Sequence, residues 1–191
     1  NLYKKIKPSS SFFWHSKLKT ARNLELLGEN KSSISMLKEM SDEKKERYDS
    51  LKLLGDIYRN YDKYNEAIKS YNKAVSRIEE INKEHWDLLY SRGMAYERSN
   101  QWDKAEKDFL KILDLFPNQP DVLNYLGYSW VEQNQNLDKA KNLLIKAVGI
   151  KPSDPYFVDS LGWAYYHLKE YDKAVEELEK AISLMPTDPI I

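Results

Sequence analysis

The chain of 191 residues contains no cysteine. It therefore has no disulfide bond, no thiolate nucleophile and no cysteine-based metal site. It also lacks an excess of either charge, because 30 basic side chains balance 30 acidic ones. A nucleic-acid or anionic-membrane binder normally carries a basic excess, so we expect no nucleic-acid partner.

Long apolar runs and strand patterns are missing too. No apolar run approaches the roughly 20 residues that a membrane-spanning helix needs, and no alternating segments are bounded by hairpin turns. Helix is therefore the expected structure throughout. The chain begins with Asn1 rather than Met, so we expect a mature or trimmed product whose upstream signal or anchor would not be visible.

No group of residues has the spacing of a catalytic centre. The three histidines, His15, His85 and His167, are far apart and show no metal-ligand spacing. There is no glycine-rich phosphate loop and no nucleophile elbow. The acidic residues alternate with lysines, which is typical of solvated helix faces. The sequence predicts no enzymatic activity, no cofactor and no metal.

What the sequence does contain is an internal repeat. A glycine recurs once per unit, preceded by leucine or arginine and followed three residues later by an aromatic residue: Gly55, Gly93, Gly127 and Gly162. An alanine recurs further along each unit, with a large apolar residue four positions beyond it: Ala67, Ala105, Ala140 and Ala174. One such unit cannot bury its apolar faces alone, so the units must stack.

These residues resemble the tetratricopeptide repeat (TPR), a helix–turn–helix unit of about 34 residues. The resemblance implies an all-α fold, a right-handed superhelical α-solenoid of about ten helices. Four units match well, at 48–85, 86–119, 120–154 and 155–188. Residues 12–47 read as a degenerate hairpin, 1–11 as an N-terminal arm and 189–191 as the start of a further unit. The extra residues 79–85 lead us to expect a second helix about one turn longer in the first of these units.

The family resemblance also implies a binding surface. In such proteins the first helices of successive units line a concave groove that takes an extended peptide or a partner helix. The second, fifth, ninth and twelfth positions of each unit face this groove. From these we take as candidate partner contacts Lys52, Asp56, Arg59, Tyr90, Met94, Asn124, Tyr128, Tyr156, Asp159, Trp163 and Tyr166. The other positions in register are Asp49, Asp87, Glu97, Asp121 and Val131.

The predicted lining changes from charged to aromatic along the chain. Aromatic side chains that internal packing does not need often anchor a partner, and Asn124 and Asp159 could contact a peptide backbone. The alternative is that these rings pack on one another or on the second helices. Capture of a carboxylate tail, another mode known in the family, is not expected, because Asp56 stands where that mode requires asparagine.

The stretch from 122 to 181 resembles a narrower group of bacterial, chiefly proteobacterial, TPR proteins, through LNYLGY, NLDKA and DSLGWAYY. This resemblance implies the cell envelope or periplasm, with the cytoplasm as the alternative. The leading functional hypothesis is a non-enzymatic scaffold or adaptor for a protein or peptide partner, in envelope assembly or delivery of substrates to a protease. The alternative is a structural, self-assembling segment of a larger protein. It would form a homodimer through an uncapped C-terminal end that exposes Leu178 and Ile182.

Overall fold

The computed structural model describes residues 6–7, 10, 12–43 and 47–187. Within these residues it contains ten α-helices and no strand, so the prediction of an all-α fold is confirmed. The helices are α1 (Phe13–Leu26), α2 (Asn30–Glu43), α3 (Asp49–Asn60), α4 (Tyr64–Val75), α5 (Trp86–Arg98), α6 (Trp102–Leu115), α7 (Pro120–Glu132), α8 (Leu137–Ile150), α9 (Pro155–His167) and α10 (Tyr171–Leu184). The predicted segment 189–191 and most of the predicted arm 1–11 lie outside the described residues.

The chain divides into two compact units. Unit 1 ends at Asp108 and unit 2 begins at Phe109, so the boundary falls within α6. Unit 1 contains the hairpins α1–α2 and α3–α4, followed by α5, and unit 2 contains the hairpins α7–α8 and α9–α10.

The recurring glycines mark where the two helices of a hairpin approach most closely. A Cβ atom added at Gly55 would lie 2.4 Å from Cε1 of Tyr71, and one at Gly162 would lie 2.8 Å from Cγ of Leu178. A larger side chain at either position would force the helices apart. The glycine is therefore a packing requirement in the α3–α4 hairpin of unit 1 and in the α9–α10 hairpin of unit 2.

The turns between paired helices each contain a residue with a left-handed backbone. In unit 1 these are Gly28, Asp62 and Asn100, with φ of 79°, 56° and 59°. Glycine, aspartate and asparagine tolerate this conformation well. In unit 2 the α9–α10 turn instead places Lys169 at φ 63°, where a long side chain has no such advantage.

The degenerate first hairpin shares a core with the helix that follows it. Trp14, Ala21, Leu37 and Met40 of α1 and α2 form one buried cluster with Leu54 and Ile57 of α3. Ser33, which stands where the repeat has alanine, is fully buried. Its hydroxyl donates to the carbonyl oxygen of Ala21 at 2.7 Å, which satisfies the polar group inside the core.

Unit 1 also contains a buried ion pair that replaces apolar packing. Arg92 takes the place of the leucine before the repeat glycine, and its Nε and Nη2 donate to Asp108 Oδ2 and Oδ1 at 2.8 and 2.7 Å. Asp108 is only 6% exposed. In the α7–α8 hairpin of unit 2 the corresponding positions hold Leu126 and Leu143. The bidentate geometry compensates the charge that the fold buries.

The prediction of a longer second helix near residue 80 is wrong. Helix α4 has 12 residues and ends at Val75, and the extra residues form turns and a single 3₁₀ turn, Lys83–His85. Asn82 begins that turn, and its side chain accepts a hydrogen bond from the Glu84 amide at 2.9 Å. An asparagine cap of this kind starts a new element rather than prolonging an old one.

Candidate functional site

In unit 1, the predicted groove positions of α3 and α5 hold charges that neutralise one another. Lys52 Nζ lies 3.0 Å from Oδ2 of Asp56 and 3.2 Å from Oδ2 of Asp87. Burial opposes the charged form of Lys52, but the two carboxylates outweigh it and raise the pKa of its ammonium. Lys52 is therefore held as a cation between two anions of its own unit.

The remaining candidates of unit 1 are also engaged internally. The Tyr71 hydroxyl donates to Oδ1 of Asp56 at 2.8 Å, and burial together with Asp56 raises the pKa of Tyr71 well above its usual range. Arg59 Nη1 lies 3.9 Å from the sulfur of Met94. Tyr90 is half-buried, and its ring lies 5.9 Å from that of Trp86. Each of these side chains therefore has a contact within the fold, although Nε of Arg59 is buried without a hydrogen-bond partner among the described residues.

Beside these residues lie two open cavities that α1 helps to form. One has a volume of about 190 Å³ and is lined by residues of α1 and α3, among them His15, Arg22 and Lys52. The other, of about 340 Å³, has mostly polar neighbours, including Arg22, Glu25 and Arg59. Helix α1 lies outside the surface that the repeat register predicts. Lys19 and Arg22, two basic residues three positions apart, were the signal in the sequence that could have pointed to a surface on α1.

In unit 2, four aromatic side chains of α7 and α9 form what we call the aromatic surface: Tyr128, Tyr156, Trp163 and Tyr166. The three tyrosines are 39%, 47% and 50% exposed, and Trp163 is half-buried. Residues 156, 159, 163 and 166 are spaced by three, four and three, so they share one face of α9. The aromatic surface is thus open to solvent within its unit.

The alternative that these rings pack on one another describes part of the arrangement. Trp163 and Tyr166 stack with ring centres 5.4 Å apart and an interplanar angle of 9°. His167 meets Trp163 edge-on at 4.8 Å, and Tyr171 of α10 meets Tyr166 at 5.8 Å. Internal stacking orients the rings, while much of their area stays exposed. Rings held in this way lose little conformational entropy when a partner binds.

Two carboxylates lie among these rings. The indole Nε1 of Trp163 donates to Oε1 of Glu132 at 2.6 Å. Burial, followed by the charges of Glu132 and Asp159, raises the pKa of Tyr128, so both carboxylates lie close to its hydroxyl. Burial also raises the pKa of Asp159. Glu132 was not among the predicted partner contacts, because it follows the twelfth position of its repeat by one residue.

These two carboxylates have no counter-ion among the described residues. Neither α7 nor α9 contains a lysine or arginine. The third carboxylate on these helices, Asp121, is paired with Lys151 Nζ at 3.0 Å. Glu132 and Asp159 form no ion pair with any residue that the structure describes. The aromatic surface therefore carries negative charge that no positive side chain among the described residues neutralises.

The other two predicted positions on α7 differ in their surroundings. Asn124 is half-buried, and its Oδ1 is fully buried without a hydrogen-bond partner among the described residues. An unmet buried acceptor of this kind is costly unless a donor from outside reaches it. Val131 is completely buried, so it belongs to the core and its assignment to the groove register was wrong.

Within the described residues there is no group of three or more histidine, aspartate or glutamate side chains placed to hold a metal ion. The same residues include no helix long and apolar enough to cross a membrane. The exposed aromatic rings and carboxylates of unit 2 can provide stacking, hydrogen bonding and charge, which are the means of binding a partner.

Family models of the tetratricopeptide repeat match three segments, 48–80, 86–119 and 156–188. Together these cover just over half of the chain, in the same phase as the recurring glycines and alanines. The chain belongs to the tetratricopeptide-repeat proteins, whose repeats generally serve as non-enzymatic scaffolds for protein interactions. A comparison with curated protein sequences gave no significant match.

Several solved structures share the fold. YrrB, described as a TPR protein with an unusual peptide-binding site, is 20% identical and superposes with a TM-score of 0.72 over 90% of this chain and 86% of its own. MamA from Desulfovibrio magneticus RS-1 is 20% identical, with a TM-score of 0.74 over 91% and 97%. A tetratricopeptide repeat protein from Parabacteroides merdae is 21% identical, with a TM-score of 0.78 over 93% and 68%. At these identities the similarity establishes the fold alone.

Proposed function

We propose that the protein is an adaptor that binds a peptide segment of a partner protein on the aromatic surface of unit 2. One observation carries this proposal: the tyrosine rings of this surface remain 39–50% exposed beside two carboxylates that form no ion pair with the described residues. Aromatic residues contribute a large share of the energy at protein interfaces. The peptide-binding site described for YrrB is consistent with this use of the fold.

The arrangement also offers hydrogen bonds to an extended backbone. Asn124 and Tyr128 lie one turn apart on α7, and Asp159 and Trp163 lie one turn apart on α9. Because Oδ1 of Asn124 is shielded from solvent, its side chain would have to rotate outward before it accepted a hydrogen bond from a peptide amide. The candidates in unit 1 offer less, because Lys52 and Asp56 are already paired.

The test is a double substitution, Trp163→Ala with Tyr128→Ala, followed by affinity capture of partners from an extract of the source organism. We expect capture by the wild type and its loss in the double variant, with helical content by circular dichroism nearly unchanged. Tyr61→Ala is the matched control, because Tyr61 is an exposed ring, 43% accessible, on unit 1. Undiminished capture by the double variant would refute the assignment of the surface.

Self-association is a second candidate, because α10 presents apolar side chains to solvent. Val175 and Ile182 are exposed, whereas Leu178 is half-buried against Gly162 and does not contribute as expected. Light scattering across a range of protein concentrations tests this. A mass that rises toward twice that of the chain, and falls back in Val175→Lys with Ile182→Lys, would support it. A constant monomer mass would exclude it.

We also propose a role at the bacterial cell envelope, in assembly or in substrate delivery to a protease. The support is the resemblance of residues 122–181 to proteobacterial envelope TPR proteins. Fractionation of the source organism, with detection of the chain in periplasmic and cytoplasmic extracts, tests the compartment. Recovery from the cytoplasm alone would overturn this proposal and would leave the peptide-binding proposal intact.

A further inference from the structure

We infer that the aromatic surface of unit 2 recognises a basic side chain of its peptide partner, arginine in preference to lysine. This inference rests on the proposed function, since it names the chemistry of the residue that the same surface takes.

The negative charge of the aromatic surface favours a positively charged ligand. Glu132 and Asp159 lie among the rings without an ion-pair partner in the described residues, and α7 and α9 supply no lysine or arginine. A partly buried carboxylate without a counter-ion is unfavourable, and an incoming cation removes that cost. An acidic peptide would add like charge to the same place and would be rejected.

The rings add a second preference for a cation. Trp163 is the strongest type of ring for attracting a cation to its face, and its indole N–H is already used by Glu132 at 2.6 Å. Tyr128 lies near both carboxylates. A planar guanidinium can stack on a ring and donate two hydrogen bonds to one carboxylate at the same time, which an ammonium cannot. Arginine therefore suits this surface better than lysine.

The protein already uses such contacts elsewhere on α9. Lys151 Nζ lies 5.0 Å from the ring centre of Phe157, and Lys173 Nζ lies 5.4 Å from that of Tyr165. Among the described residues no cation lies over Trp163, Tyr166 or Tyr128. Phe157 and Tyr165 are thus already in contact with lysines, whereas the rings of Trp163, Tyr166 and Tyr128 are not.

A direct test observes the Trp163 indole resonance by ¹H–¹⁵N NMR, assigned with Trp163→Phe. The probes are Nα-acetyl-arginine amide and its neutral analogue Nα-acetyl-citrulline amide. We expect a saturable shift with the arginine compound and about tenfold weaker binding of the citrulline compound. Equal binding of the two, or no shift of Trp163 up to the solubility limit of the arginine compound, would overturn the inference.

Two carboxamide variants show which carboxylate matters. Asp159→Asn should remove most of the preference for arginine over citrulline. Asp121→Asn, on the same pair of helices, should leave it within about twofold, because Asp121 is already paired with Lys151 at 3.0 Å. If the preference survives Asp159→Asn and Glu132→Gln together, the carboxylates do not select the cation and the inference is wrong.

Selection of short random peptides displayed on phage separates this inference from the proposed function. Peptides that require Trp163 and Tyr128 and are enriched in arginine support both. Peptides that require Trp163 and Tyr128 but show no enrichment in basic residues leave the proposed function standing and refute the inference. Peptides that bind Trp163→Ala with Tyr128→Ala as well as the wild type refute both.

Discussion

Lys52 in unit 1 and Asp159 in unit 2 occupy the same fifth position of their repeats, yet their electrostatic surroundings are opposite. Lys52 is held between Asp56 and Asp87 at 3.0 and 3.2 Å. Asp159 has no counter-ion among the described residues, and burial raises its pKa. The same register therefore serves internal structure in one unit and remains available in the other. A position in the repeat predicts the direction of a side chain but not whether it is free to bind.

The largest expected effect comes from the buried pair of unit 1. Arg92→Leu copies Leu126 of unit 2 but leaves the Asp108 carboxylate buried and unpaired. We expect the free energy of unfolding to fall by about 3–5 kcal/mol, measured by urea denaturation. The double change Arg92→Leu with Asp108→Leu copies Leu126 and Leu143 of the α7–α8 hairpin. It should recover most of that loss. A double variant no more stable than Arg92→Leu alone would show that two leucines cannot replace the ion pair at these positions.

The next effect concerns the exposed surface of unit 1. Lys52→Met removes the cation between Asp56 and Asp87 and leaves two carboxylates facing each other. We expect a loss of about 1–3 kcal/mol in unfolding free energy and no change in peptide binding to unit 2. If Lys52→Met weakens peptide binding while stability is unaffected, then Lys52 is a partner contact, and the contrast between the units does not hold.

Asp159→Asn changes the same repeat position in unit 2. We expect it to weaken peptide binding without lowering stability. We expect affinity for an arginine-containing peptide to fall about tenfold, measured by isothermal titration. Burial raises the pKa of Asp159 in the folded state, so its contribution to stability is greatest below its unfolded pKa and is lost as pH rises through the folded pKa. Asp159→Asn should therefore be no less stable than the wild type at neutral pH. A clear loss of stability there would indicate a structural role.

The smallest effect tests the turns. Lys169 adopts φ 63° where unit 1 uses Gly28, Asp62 and Asn100. Lys169→Gly removes the strain of a left-handed lysine and should raise the unfolding free energy by about 1 kcal/mol. Gly28→Lys makes the reverse change at φ 79° and should lower it by a similar amount. Thermal unfolding of both variants provides the measurement, and a shift of the same sign in the two would contradict this account.

The hairpins were predictable because their signals are local and repeated. A glycine in the first helix and an alanine in the second recur in the four repeats between residues 48 and 188, and the close approach of Gly55 to Tyr71 explains the glycine. The length of α4 was wrong because Asn82 provides a cap that starts a separate 3₁₀ turn. Hydrophobic periodicity says little about where a helix yields to a turn.

The candidate site was less predictable because its chemistry depends on pairs that lie far apart in sequence. Glu132 and Trp163 are 31 residues apart, and nothing in the repeat register links them. Arg92 and Asp108 lie in different helices and stand at positions that are leucine in the α7–α8 hairpin of unit 2. Whether a charge is neutralised is decided by such pairs, so the register alone could not separate the engaged surface of unit 1 from the open one of unit 2.

The hydrogen bond from Trp163 to Glu132 joins two successive repeats, and this has a consequence for how the gene can change. Repeat proteins evolve by duplicating and deleting whole units. One further repeat inserted between residues 154 and 155 would preserve the contacts within each neighbouring hairpin. It would nevertheless separate Glu132 from Trp163. The fold tolerates such a rearrangement, whereas the aromatic surface does not. On the proposed function, partner binding therefore limits the number of repeats at this junction, whereas the packing of the hairpins does not.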